Sequence, residues 1–186
     1  DSIAALVARA PKLTAAPVPA AVASAELVFR ATPYKANAEV LPPLAEGLAG
    51  KVLVDCTNPV GPGLSHGLNS QGSGSAAVQA LAPKARVVKA FSIYGYENFE
   101  DATFPAYNVK PAMMFCGDDP EAIAERLFAV GAPGLRRSRR HGRLGLSLVH
   151  EVGVLAQQVG PLEGALFVRR RGDDDVADEH EVFASL

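Results

Sequence analysis

The chain has no tryptophan and only two cysteines and two methionines in 186 residues. Two cysteines exclude the disulfide framework of small secreted domains. Cys56 and Cys116 each close a short apolar run, so they read as free, buried thiols in a reducing compartment. Charge of one sign is also lacking, because 18 Lys and Arg stand against 20 Asp and Glu, a formal net charge of -2. Nothing in that balance calls for nucleic acid or an acidic membrane surface as partner. No apolar run approaches the ~18 residues of a membrane span, and no basic-then-apolar leader opens the chain. The expectation is a soluble, cytoplasmic protein. His, Cys, Asp and Glu never gather at metal-ligand spacing, and no Ser-His-Asp set assembles, so no metal and no catalytic dyad is assigned. An initiator methionine is missing too. Asp1-Ser2 runs straight into the helix-forming IAALVARA, which predicts that the gene product extends upstream of Asp1.

What is present is an apolar fraction of 48%, enough to bury one sizeable core. Two runs stand out, KVLVDCTNPVGPG from Lys51 and ARVVKAFSIYG from Ala85. Each holds a β-branched stretch too short for a helix that empties into small and polar residues, the pattern of strands buried on both faces. A helix-compatible segment, Ser75 to Leu81, lies between them. Leu27-Val28-Phe29 forms a similar strand ending at Ala31-Thr32-Pro33-Tyr34. A weak strand is expected within Lys12 to Val18, and helices over Ile3 to Ala10, Ala20 to Ala25 and Ala36 to Leu48, the last interrupted by Pro42-Pro43 and closed near Gly50. Ala112 to Cys116 is a further strand, and Gly117-Asp118-Asp119-Pro120 supplies turn and N-cap for a helix over Glu121 to Phe128. Strand alternating with helix predicts a doubly wound, mostly parallel α/β sheet.

Ligands of such sheets sit outside the carboxyl ends of the strands. That rule selects Thr32, Pro33 and Tyr34 after the first strong strand, Thr57, Asn58 and Pro59 after the second, and Lys89 and Phe91 after the third. Asn58 can donate to a carboxamide or ribose, or close an Asx-turn. Lys89 can meet a substrate carboxylate or phosphate, or stay a surface ammonium. Phe91 with Ile93 and Tyr94 can wall a flat ring or fill the core. His66 lies in a Gly/Ser-rich loop, Gly61 to Gly74, that lacks the strand-G-x-G-x-x-G-helix context and reads as an exposed loop histidine. His150 is a further candidate for the acceptor side.

ATPYKAN, KVLVDCTNPVGPGLSHGL, ARVVKAFSIYGYENFED and YNVKPAMMFCGDD, in that order and spacing, resemble the NADPH-dependent reductases related to the F420H2:NADP oxidoreductases. The resemblance covers most of Asp1 to Phe128. It implies a Rossmann-type fold and NADP(H) binding, with Thr32 to Tyr34, Thr57 to Pro59, Lys89 and Phe91 beside the nicotinamide and F420 as a second carrier. It further implies hydride transfer to a planar carrier or small-molecule substrate, and a homodimer packed through C-terminal helices. The family's opening G-x-G-x-x-G unit is absent from this sequence, so the Leu27 strand is expected to be an unprotected apolar edge and NADP(H) binding to be weak or absent. Two other functions are compatible: a noncatalytic binding or assembly module on a degenerate Rossmann fold, and a reductase of the pyrroline-5-carboxylate or 3-hydroxyacid type.

Past Phe128 the sequence departs from that pattern. GLRRSRRHGR, Gly134 to Arg143, is a basic run where the resembling proteins have an acidic-apolar strand; a local shift of reading frame, a solvated loop or, least of all, a nucleic-acid patch would each account for it. Leu148, Val152, Leu155 and Val159 give helical spacing over Leu144 to Gln158. Arg169-Arg170-Arg171 and Asp173-Asp174-Asp175 read as tail. The expected organisation is a partial dinucleotide-binding domain over 1–133, a divergent helical segment over 134–168, whose apolar stretch Leu144 to Phe167 supplies any dimer contact, and a charged tail over 169–186.

Overall fold

The structure is a computed structural model that describes residues 7–8, 13–92, 112–123, 144–148, 165–169 and 181–185. Its strands are β1 (Leu13–Ala15), β2 (Leu27–Arg30), β3 (Val52–Asp55), β4 (Arg86–Lys89), β5 (Ala112–Gly117), β6 (Leu144–Leu148), β7 (Ala165–Arg169) and β8 (Glu181–Ser185). Between β1 and β4 run three helices, α1 (Val18–Ser24), α2 (Asn37–Leu44) and α3 (Gly74–Leu81). The strands form one sheet in the order β1-β8-β7-β2-β3-β4-β5-β6. The fold is α/β and Rossmann-like, with β2, β3 and β4 as its parallel centre.

Alternation along those three strands divides the core in two. Val28, Leu53 and Val87 face one side, where they meet Ala21, Val22 and Ala25 around α1, Leu41 and Leu44 of α2, and Val78 of α3. Leu27, Val52, Val54 and Val88 face the other, against Phe115 and Ala122. Each of these Leu and Val side chains, buried, contributes about 1.5–3 kcal/mol. Local chemistry fixes the helix ends. Ser73 caps α3 by accepting from the Ala76 N–H at 3.2 Å. Lys51 donates to the carbonyls of Val22 and Ala23 at 2.6 and 2.9 Å, which ties the end of α1 to the start of β3. Pro42 and Pro43 lie inside α2, which ends one residue later.

The expected turn after β5 is present. Asp119 accepts from the backbone N–H groups of Glu121 and Ala122, both at 2.9 Å, and from Arg86 Nη2 at 3.1 Å. The Arg86 hydrogen bond first, and the Ala122 N–H second, hold this carboxyl down at about 2 from an ordinary 3.8. Because the folded value is the lower one, the unfolded chain takes up more protons as pH falls through that window. Stability supplied by Asp119 is therefore present above pH 3.8 and lost toward pH 2. Urea unfolding across this range is expected to show a steeper acid loss in the parent than in Asp119→Asn, and equal slopes would contradict the cap.

Three expectations are corrected. β2 is not an edge, because β7 pairs antiparallel along its whole length, from Leu27 with Arg169 to Arg30 with Leu166. That pairing satisfies the backbone groups an edge would leave open. Leu144–Leu148 is a strand, not the start of a helix, since it pairs antiparallel with all of Ala112–Cys116; residues 149–158 lie outside the described set. Glu181–Ser185, expected within a charged tail, pairs with both β7 and β1. The parallel alternation also stops at β4, to which β5 adds antiparallel through Val88 with Gly117 and Lys89 with Cys116. Residues 93–111, most of the expected helices over Ile3 to Ala10 and Glu121 to Phe128, His150 and the basic run 134–143 lie outside the described residues. Among the described residues no helix is long and apolar enough to cross a membrane.

Candidate functional site

The last residues of the three parallel strands are all charged, and the sheet register lines them up: Arg30 opposite Asp55, and Asp55 opposite Lys89. Two positions beyond Val28, Leu53 and Val87, they share the face covered by α2 and α3. Arg30 and Asp55 are fully buried. Lys89 Nζ reaches Asp55 Oδ2 at 3.1 Å and also donates to the Thr57 carbonyl. The other oxygen of Asp55 accepts from the Thr57 backbone N–H at 2.9 Å and its hydroxyl at 2.7 Å. Asp55 thus makes the turn that begins the loop after β3 and clamps it to β4. Arg30 donates to the carbonyls of Thr32 and Pro33 at 2.8 and 3.3 Å. Burial lowers its guanidinium to about 10, against the opposing effect of Asp55.

Above this row the two strand-end loops face each other across a cavity of about 580 Å³ lined by Pro33, Tyr34 and Lys35 on one side and by Asn58, Pro59, His66, Gly67 and their neighbours on the other. Tyr34 opens a short 3₁₀ turn, Tyr34–Ala36, that leads into α2. Burial first and Asp55 second raise its phenol above the ordinary range. Asn58 donates through its amide to the Ser92 carbonyl at 2.6 Å, joining the loop after β3 to the exit of β4. The far side of the loop folds back on itself, with Gly67 N–H donating to the Pro59 carbonyl at 2.6 Å. A Cβ at Gly67 would stand 2.9 Å from that same oxygen, so only glycine permits the approach.

Of the eight residues expected at the site, Pro33, Tyr34, Asn58 and Pro59 line the cavity together. Thr32, Thr57 and Lys89 lie beneath it: Thr32 and Thr57 are buried, and Lys89 is bound to Asp55 and Thr57. Phe91 packs on Phe29 with ring centroids 5.8 Å apart at 55°, within the core on the opposite sheet face from Asp55. It holds a left-handed φ of 60°, a strained backbone for a bulky side chain. Cys56 points to that face as well, and burial, with Asp55 second, pushes its thiol up to about 12, which keeps it a neutral core group. Among the described residues no three His, Cys, Asp or Glu side chains group as metal ligands.

Two residues were missed in sequence. Arg30 and Asp55 each read as the end of a run, and only the register makes them neighbours. His66 is exposed, as expected, yet it organises its loop: its Nδ1 accepts from the N–H groups of Leu68 and Ser70, both at 3.2 Å. Nδ1 is therefore the acceptor nitrogen of the ring, and His66 is one of the residues lining the cavity.

Residues 1–59 match the family described as NADP oxidoreductase, coenzyme F420-dependent. Over this segment, about a third of the chain, the sequence is similar to that family. It runs from before β1 through Pro59 and so contains Thr32 to Tyr34 and Thr57 to Pro59. Lys89 and Phe91 fall outside it. Among solved structures, a candidate F420-dependent NADP-reductase from Arthrobacter sp. FB24 is 29% identical with a TM-score of 0.54, over 61% of this chain and 53% of that one. The chain thus spans about half the length of this F420-dependent relative. A hypothetical protein from Sinorhizobium meliloti is 21% identical with a TM-score of 0.46, over 52% of this chain and 47% of that one. No curated protein matches.

Proposed function

We propose that this chain carries the nicotinamide-side half of an NADP(H)-dependent oxidoreductase that transfers hydride between the nicotinamide and a planar redox carrier or small-molecule substrate, with F420 as the carrier. The observation that carries this reading is the cavity at the carboxyl ends of β2 and β3, walled by Pro33, Tyr34, Asn58 and Pro59. Hydride transfer asks the protein for two rings held face to face in a water-poor crevice, and for little acid-base chemistry. Proline and tyrosine rings supply flat apolar contact, and Asn58, anchored through Ser92, supplies a fixed carbonyl toward a carboxamide. Buried Thr57 and part-buried Lys89 support the loop through Asp55 and hold it still. In this reading the enzyme is cytoplasmic, and any homodimer contact comes from residues 144–167.

The test is a titration of the ¹⁵N-labelled chain with reduced nicotinamide mononucleotide and with NADPH, followed at the amides of Tyr34 and Asn58. Saturable shifts at both residues are expected, with NADPH gaining little over the mononucleotide because this sequence supplies no G-x-G-x-x-G cradle for the pyrophosphate. Absence of a shift with both ligands would remove the proposal.

A further inference from the structure

Among the described residues the buried polar and charged side chains are Arg30, Thr32, Asn37, Asp55 and Thr57, and all lie where the chain ends or has just left β2 and β3. Asn37 begins α2 and shares its inward face with Leu41 and Leu44, which pack on Val28 and Leu53. Arg30 and Asp55 are the next positions on those same two strand faces, so the first turn of α2 stands over them. Asn37 and the strand-end pair Arg30 and Asp55 thus lie on one side of the sheet, under α2.

Its hydrogen bonding is uneven. Asp55 is fully engaged by Thr57 and Lys89. Arg30 Nε, the Thr32 hydroxyl and both polar atoms of the Asn37 amide have no partner, although these residues are 0%, 3% and 3% exposed. Buried polar atoms without partners are rare because each forfeits its hydration. Charge is uneven too. Arg30 and Lys89 oppose the single carboxylate Asp55, and the amino end of α2 adds partial positive charge at the same place.

We propose that Arg30, Thr32 and Asn37, with Lys89 across the sheet, form a subsite for one oxyanion group, a carboxylate or a phosphate, beneath the cavity. The unpartnered donors, a guanidinium N–H, a hydroxyl and an amide NH₂, are the set that such a group accepts from, and its charge offsets the surplus of the row. The subsite adjoins the cavity: Arg30 donates to the carbonyl of Pro33, and Pro33 forms part of the cavity wall. The subsite stands independently of hydride transfer, since it requires only an anionic group on whatever enters.

The experiment follows the Arg30 Nε–H resonance of the chain during titration with inorganic phosphate, with acetate and, at matched ionic strength, with chloride. A saturable shift with phosphate alone assigns a phosphate group, and one with acetate alone or with both assigns a carboxylate-sized oxyanion; each supports the subsite. Thr32→Val removes the hydroxyl at nearly constant shape, and Asn37→Ala removes the amide. Each is expected to weaken the effective anion about tenfold, the equivalent of about 1.4 kcal/mol. No saturable shift with either oxyanion, an equal response to chloride, or undiminished affinity in both variants would overturn the proposal. Because the readout is Arg30 and not Tyr34 or Asn58, failure here leaves the nicotinamide reading untouched.

Discussion

Asp55→Asn is expected to lower the unfolding free energy by about 3–5 kcal/mol, the usual cost of breaking a buried ion pair from one side. The substitution keeps the volume and one carbonyl acceptor for Thr57, so the cost isolates the charge. Lys89, bound at 3.1 Å, then has no counter-ion, and Arg30 in the opposite register position loses the carboxylate that offsets its burial. The measurement is the midpoint of urea unfolding at unchanged m-value. Asp55→Asn combined with Lys89→Met should recover part of the loss, because the second change removes the charge that the first stranded. The site should respond as well, since Thr57 and the loop carrying Asn58 and Pro59 start from Asp55. A midpoint equal to the parent's would show that the carboxylate is dispensable to the fold.

Ending the chain after residue 160 should make it markedly more prone to aggregate. The deletion removes β7 and β8, hence every sheet partner on the outer side of β2 and the partner of β1. What it uncovers is the backbone edge of Leu27-Val28-Phe29-Arg30, a short, mostly apolar strand of the kind that pairs with copies of itself. Sedimentation velocity is the measure. A monomeric truncated chain whose Leu27 and Phe29 amides, the ones turned toward β7, exchange as slowly as in the parent would contradict the pairing between β2 and β7.

The strands at the centre were readable because each is a short β-branched run bounded by turn residues, and the carboxyl-end rule then led to Pro33, Tyr34, Asn58 and Pro59. What could not be read was anything carried by pairing. Leu144, Leu146 and Leu148 alternate as a strand, while Leu148, Val152, Leu155 and Val159 step as a helix; the two patterns share Leu148, and the five-residue ladder with β5 decides for the strand. β8 hid for a related reason. Acidic neighbours made it look solvated, and only β1 and β7 on either side give its backbone a place. The buried charge row is the same lesson at the site. Arg30, Asp55 and Lys89 are one unremarkable strand-end residue each until the register sets them side by side.

The pairing of β1 with β8 joins Leu13 to Glu181 and Ala15 to Phe183. These are contacts between nearly opposite ends of the sequence, and only three residues of β1 make them. Closing so long a loop costs chain entropy that such a short ladder returns only after β7 and β8 are in place. This margin of the sheet is therefore set to assemble last and to open first, and the folding rate of the chain should be governed by it more than by the rapid, local union of β2, β3 and β4.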